Sequence, residues 1–238
     1  MQRTEIEWVR EPDGRRGFSW NPVTGCKMGC TYCYARDIAL LYTGTFEPEY
    51  HPDRLMEPSQ RRKSSTIFLC SMSDLWGLWV PEHWQLLVMG AVIANPQHRF
   101  LMCTKSPEVL LAWLLRFPTH KLPDNLAVGV TIDYHKHEHR ISLLRCIPAS
   151  MRFISFEPAL DLGTKIMDLK GIDWIIAGPL NKRGRCATTE SHWWDQYITI
   201  CHSLLLSQPL FIKNTAPMHQ ERPQQFPAWM GIKEVPHG

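Results

Sequence analysis

The constraint that shapes this chain most is a repeated alternation of short apolar runs and longer helical stretches. Runs rich in β-branched and aromatic residues occur at 18–22, 66–71, 99–103, 126–132, 151–156, 173–177 and 209–212, and each reads as a strand. Between them, helical patterning spans 32–41, 82–95, 107–116, 134–146 and 190–206. Pro81-Glu82 and Pro107-Glu108 look like helix starts: proline suits the first turn, and an acid suits its positive end. Strand–helix alternation of this kind predicts an α/β protein with a parallel sheet. Right-handed crossovers then allow a closed barrel, a partial barrel or an open sheet. The pattern lapses between residues 44 and 65, which read as a long connection with prolines at 48, 52 and 58.

At 238 residues and 44% hydrophobic content, the chain is long enough for one sizeable core, and residues 1–238 are read as a single domain. No apolar run reaches membrane-spanning length. The first residues, MQRTEIEWVR, are too polar for a secretory signal, so the expected location is the reducing cytoplasm.

Eight cysteines then need a role. Cys70 and Cys103 each end an apolar run and read as small buried hydrophobes. Cys26, Cys30 and Cys33 are different, because GCKMGCTYCYA places three thiols within eight residues as C-x3-C-x2-C. Structural zinc wants four ligands, and no second C-x2-C or paired histidine completes the set. Burial of three thiols as mere hydrophobes fits poorly with a loop containing glycine and lysine. A third reading is an iron–sulfur cluster; three thiolates would leave one iron of a four-iron cluster open to an exogenous ligand.

CKMGCTYC resembles the C-x3-C-x-aromatic-C signature of the radical S-adenosylmethionine (SAM) superfamily. The resemblance implies a [4Fe-4S] cluster on Cys26, Cys30 and Cys33, SAM bound at the open iron, reductive cleavage to a 5′-deoxyadenosyl radical, and a partial (β/α)6-type TIM barrel. In order along the chain, TEIEW, SWNPVTGC, CYAR, SMSDLW, TKSPE, VGVTID, FISFEP and IDWIIAG are similar to the phage Gp37/Gp68-type family, DUF5131, itself similar to spore photoproduct lyase. The likeness covers most of residues 4–180. Beyond it, AGPLNKRG stands where the family often has a GGESGP-like turn, residues 10–18 look inserted, and 181–238 diverge. The resemblance further implies a reducing partner such as flavodoxin or ferredoxin, and a single cluster.

In a parallel α/β fold the chemistry gathers at the C-terminal ends of strands. Tyr32 matches the aromatic that packs near the SAM adenine. Ser71, Ser73 and Asp74 follow the second strand and suit an ammonium group; as a helix start they would serve equally well. Lys105, after Thr104, is expected to meet a carboxylate or phosphate. Asp133 and Glu157 end the next two strands and would bind ribose hydroxyls or a substrate donor. His135 and His139 share a helical face, but no acid joins them there, so a polar helix start is the expectation over a metal site. Cys186 would return a hydrogen atom to a substrate radical.

Net charge is +3, which by itself implies no partner. Placement says more. Arg15, Arg16, Arg61, Arg62 and Lys63 precede strands and should lie away from the chemistry. Lys182, Arg183, Arg185 and Lys213 follow strands and should ring the mouth, with Trp76, Trp79, Trp193 and Trp194 as stacking surfaces. The expected function is a radical SAM enzyme acting on a nucleic acid or nucleotide. The alternatives are a non-catalytic iron–sulfur or zinc module that binds nucleic acid or a partner protein, and a radical enzyme acting on a peptide or small molecule.

Overall fold

The computed structural model describes residues 1–116, 120–182, 185–205, 208–218 and 222–232. The chain begins with β1 (Gln2–Arg3) and β2 (Phe18–Trp20), then β3 (Val23–Thr24), α1 (Tyr34–Thr43), β4 (Glu49–Tyr50) and the one-turn α2 (Glu57–Gln60). A regular alternation follows: β5 (Thr66–Leu69), α3 (Glu82–Ile93), β6 (Arg99–Thr104), α4 (Pro107–Leu114), β7 (Leu126–Thr131), α5 (His139–Cys146) and β8 (Arg152–Phe156). Next come β9 (Trp174–Ala177), a hairpin of β10 (Asn181–Lys182) with β11 (Arg185–Cys186), α6 (Glu190–Ser203) and β12 (Leu210–Ile212). Each of the seven expected strands and five expected helices appears within a few residues of its place. The segment read as a long connection carries β4 and α2, and β4 pairs with β3 as a small antiparallel ribbon.

Helix starts follow the chemistry of exposed N–H groups. Pro107 opens α4 with Glu108 in its first turn, and Glu82 opens α3. Thr189 caps α6, its Oγ1 accepting from the His192 amide at 3.4 Å. The cap of α1 is Cys33, whose Sγ accepts from the Arg36 amide at 3.4 Å.

Among the described residues, eight strands form one sheet in the order β1-β2-β5-β6-β7-β8-β9-β12. β1 is antiparallel to β2, and the other seven run parallel in chain order. The sheet stays open, because β1 and β12 do not pair. Segment 222–226 takes the outer edge of β12: Ile212 N donates to Pro223 O at 2.7 Å and Gln225 N to Leu210 O at 2.9 Å. An edge already occupied in this way has no free ladder left to close a barrel.

Side chains alternate across the sheet with period two. Ile67, Leu69, Phe100, Met102, Val128, Val130, Ile154 and Ile175 join the core shared with α3–α6. Phe68, Leu101, Ala127, Phe153, Trp174, Ile176 and Phe211 form a second core on the opposite face. Among the described residues, no α-helix contributes to that face. Trp8 and Val9 from the N-terminal segment and Phe226 and Met230 from the C-terminal one fill it. The Trp8 ring meets Phe68, Phe153 and Trp174 at centroid distances of 5.0, 5.7 and 5.9 Å. Parallel strands buried on both faces explain why the strand sequences are continuously apolar. Among the described residues, no helix is long and apolar enough to cross a membrane.

Candidate active site at the C-terminal rim

The loops that leave the C-terminal ends of the parallel strands carry nearly all the polar residues singled out by sequence. The cysteine loop is rooted by Gly25, whose φ of +80° lies in the left-handed region and whose Cβ, were there one, would sit 2.0 Å from Glu47 O. Only glycine fits there. Gly25 N donates to Met72 O at 3.0 Å, Ser73 Oγ donates to Gly25 O at 2.7 Å, and Cys26 N donates to Phe46 O at 3.1 Å. Ser71 Oγ and Met72 N both donate to Asn21 Oδ1, at 3.2 and 3.0 Å. Ser71 and Ser73 thus brace the base of the cysteine loop.

Cys26, Cys30 and Cys33 are half-buried free thiols, as are all eight cysteines free. Burial pushes the Cys26 thiol up to about 11; the Met28 amide opposes this, and the charges of Asp74, Cys33 and Cys30 add to it. The three sulfurs therefore share one electrostatic neighbourhood. Among the described residues, no three His, Cys, Asp or Glu side chains converge as a metal-coordinating set. The donor set suits a thiophilic metal group in number, kind and partial exposure, and gathering it on one centre requires the loop to close further.

Tyr32 and Asp133 are brought together: the Tyr32 hydroxyl donates to Asp133 Oδ2. His137 Nδ1 lies 2.5 Å from Asp133 Oδ1, and the buried Arg140 guanidinium lies 3.6 Å from the same oxygen. Burial disfavours ionisation of Asp133, but hydrogen bonds from Tyr32 and His137, with the charges of Lys105 and His137, outweigh it and hold the carboxyl below its ordinary range. Burial first, then Asp133, pushes the Tyr32 phenol up. Lys105 Nζ sits 5.2 Å from the centroid of the Tyr32 ring.

Asp74 faces inward rather than toward a ligand. Its Oδ1 accepts from Thr104 Oγ1 at 2.7 Å and from Trp76 N at 3.2 Å, and its Oδ2 accepts from Lys105 N at 2.8 Å. Burial raises its pKa, against those three donors. It joins the end of β5 to the end of β6.

Glu157 lies at the middle of the rim. Its Oε2 accepts from Trp8 Nε1 at 2.7 Å and from Ser155 Oγ at 3.3 Å, and its Oε1 lies 3.1 Å from Lys213 Nζ. The Glu157 charge raises the Lys213 pKa, against partial burial. The Tyr34 ring is largely exposed, but its hydroxyl donates to Ser71 O at 2.8 Å, and enclosure of that hydroxyl, with the charges of Cys33, Glu157 and Cys103, raises its pKa.

Three expectations need correction. Cys103 is not simply a core thiol; its Sγ lies 3.4 Å from Thr131 Oγ1, and burial, against that hydroxyl, pushes it up to about 11. Trp76 and Trp193 are fully buried core residues rather than stacking surfaces. The His135–His139 stretch, expected to be only a polar helix start, also sends His137 to Asp133. Cys186 sits apart in the β10–β11 hairpin, Sγ donating to Thr188 O at 3.3 Å. Lys182 and Arg185 are exposed on the same hairpin, and Arg183 lies outside the described residues.

Sequence reasoning missed Trp8 and Asn21 as parts of the rim. Both lie inside quoted motifs, but a lone indole or amide in a loop carries no spacing signal. Cys103 was hidden by the run it ends. Position gives the only available clue: as the next-to-last residue of β6, it projects to the face opposite Met102.

No curated protein and no solved structure matches the chain. A family model described as "Protein of unknown function (DUF5131)" matches residues 3–214, from within β1 through the end of β12 and so all seven parallel strands and their rim, and the chain belongs to the DUF5131 family.

Proposed function

We propose that this protein is a radical SAM enzyme, working in the reducing cytoplasm on a nucleic acid or nucleotide, with its open sheet serving as a partial (β/α) barrel like that of spore photoproduct lyase. The observation that carries the reading is the C-x3-C-x2-C loop at the C-terminal rim of a parallel sheet whose strands follow chain order.

Cys26, Cys30 and Cys33 would hold a [4Fe-4S] cluster. Given an electron from a flavodoxin- or ferredoxin-class donor, that group supplies reductive cleavage of the SAM sulfonium to methionine and a 5′-deoxyadenosyl radical. The chain's own residues build the setting. Ser71, Ser73 and Asn21 fix the root of the loop. Lys105 and Lys213 bring positive charge to the rim for a carboxylate or phosphate. Trp8 and Ser155 hold one oxygen of Glu157, and Lys213 faces the other. Exposed Lys182 and Arg185 extend the positive charge beyond β9, as a phosphate backbone favours.

Anaerobic reconstitution with iron and sulfide, reduction, and addition of SAM test this reading. The expected result is 5′-deoxyadenosine that disappears in Cys30→Ala. Protein that takes up zinc and never a cluster would overturn it. Nucleic-acid binding indifferent to SAM would point to a binding module.

A further inference from the structure

The rim holds a second arrangement that no ligand is needed to explain. Tyr32 lies between Cys30 and Cys33, and its hydroxyl reaches across the rim to Asp133, which follows β7. Both oxygens of Asp133 are engaged, Oδ2 by Tyr32 and Oδ1 by His137 and Arg140. The backbone of Asp133 is engaged as well: its carbonyl accepts from Leu160 N at 3.0 Å and Asp161 N at 3.3 Å. Arg140 is fixed in turn, donating to Thr131 O at 2.7 Å. A carboxylate so fully committed is a poor receptor for a sugar hydroxyl and a good anchor.

From the other side, Lys105 lies over the Tyr32 ring, and the Lys105 amide is held by Asp74. The loop carrying the three thiols is otherwise held at its root near Gly25, at Lys27, which pairs with Glu47 at 2.8 Å, and at Cys33, where α1 begins and Arg36 reaches back to Thr31 O. Among these ties, the Tyr32 hydroxyl is the one that reaches the end of a central sheet strand, at Asp133 after β7. We propose that Tyr32 and Asp133 form a clasp that positions the cysteine loop over the rim, with Asp133 acting as a positioning residue on the loop rather than as a ligand for substrate or cofactor. The proposal rests on the loop geometry alone and stands whether the thiols carry a cluster, another metal, or nothing.

The test is amide hydrogen exchange, followed by mass spectrometry, on metal-free protein. Tyr32→Phe removes one hydroxyl, and Asp133→Asn replaces the anion with a nearly isosteric amide. Each is expected to speed exchange across residues 26–34 by about tenfold, the usual reach of one charge-assisted hydrogen bond. Exchange in β5, β6 and β8 should stay as in the parent. Because both variants break one contact, the double variant should exchange no faster than the quicker single. A merely structural role for Asp133 would raise exchange across the sheet as well, and that result would overturn the proposal. So would unchanged exchange at 26–34, or single effects that simply add.

Discussion

Asp74 and Glu157 are both acids at strand ends, and the sequence gives no way to tell them apart, yet their surroundings assign opposite work. Asp74 accepts three hydrogen bonds and binds two strand ends together. Replacing it with alanine strands a buried hydroxyl and two amides, so Asp74→Ala is expected to lower stability by about 3 kcal/mol, read by urea unfolding. A change near zero would return Asp74 to the ligand-binding role its motif implied. Glu157 is paired across the rim with Lys213; their side chains are 16% and 23% exposed. Lys213→Met should cost about 2 kcal/mol, less than a fully buried pair because water still reaches both groups. The pH dependence follows from the direction of the Lys213 shift. Its pKa is raised above the ordinary 10.5, so the folded state holds the proton more tightly than the unfolded one. The pair's contribution is complete below 10.5 and fades as pH climbs through the raised value. The stability gap between parent and Lys213→Met should therefore be flat from neutral pH to 10.5 and close above it. A gap that closes toward acid pH, before any carboxylate titrates, would contradict the pairing. Which residues lie at the rim was legible, because strand ends are read from periodicity. Which of them are tied up was not, because hydrogen-bond partners come from distant loops: Trp8 meets Glu157 across 149 residues, and Tyr32 meets Asp133 across 101.

The strands and helices of the repeating unit were readable because each carries several periods of its own pattern. Elements of two residues, β1, β3, β4, β10 and β11, have no period to read, and they exist only through their partners. The β3–β4 ribbon matters most among them, because it roots the cysteine loop. In the centre of the sheet, Gly129 in β7 marks another element-scale constraint. A Cβ there would lie 2.3 Å from the Phe153 ring on β8. Phe153 occupies the space a side chain would take and so seats itself under Trp8 and Trp174. Gly129→Ala must push the ring out, at a cost of about 2–3 kcal/mol for overpacking. A thermal melt several degrees below the parent is expected; the double variant Gly129→Ala with Phe153→Leu should recover part of that loss. Failure of the smaller residue to rescue would mean the strain lies in the backbone and not in the ring.

For the whole molecule, the family match stops at residue 214, but the packing does not. The face of the sheet without helices is closed by residues from both ends of the chain: Trp8 and Val9 before the first parallel strand, Phe226 and Met230 after the last. Polar contacts fix the late segment in place, with Trp174 Nε1 donating to Gln225 O at 2.9 Å and Arg99 Nε to Trp229 O at 3.1 Å. The same segment occupies the edge of β12, so one stretch both fills the helix-free face and takes up the sheet's open edge. Alternation alone allowed a barrel or an open sheet; what decides between them lies in a divergent tail with no strand–helix periodicity, where sequence reading has least to use. A chain ended after Met218 would lose buried Met230 and half-buried Phe226, about 2–5 kcal/mol for the first and less than a fully buried phenylalanine's roughly 3–5 kcal/mol for the second. Together with the lost Trp174 and Arg99 hydrogen bonds, these losses are comparable to the lower end of an ordinary domain's total stability, about 5–15 kcal/mol. The shortened chain is therefore expected to keep helical circular dichroism but unfold without a sharp transition, bind a hydrophobic dye, and show red-shifted tryptophan fluorescence as Trp8 and Trp174 meet water. A sharp transition at the parent's temperature would mean that the N-terminal segment alone seals the sheet, and that the residues beyond the family match are dispensable to the fold.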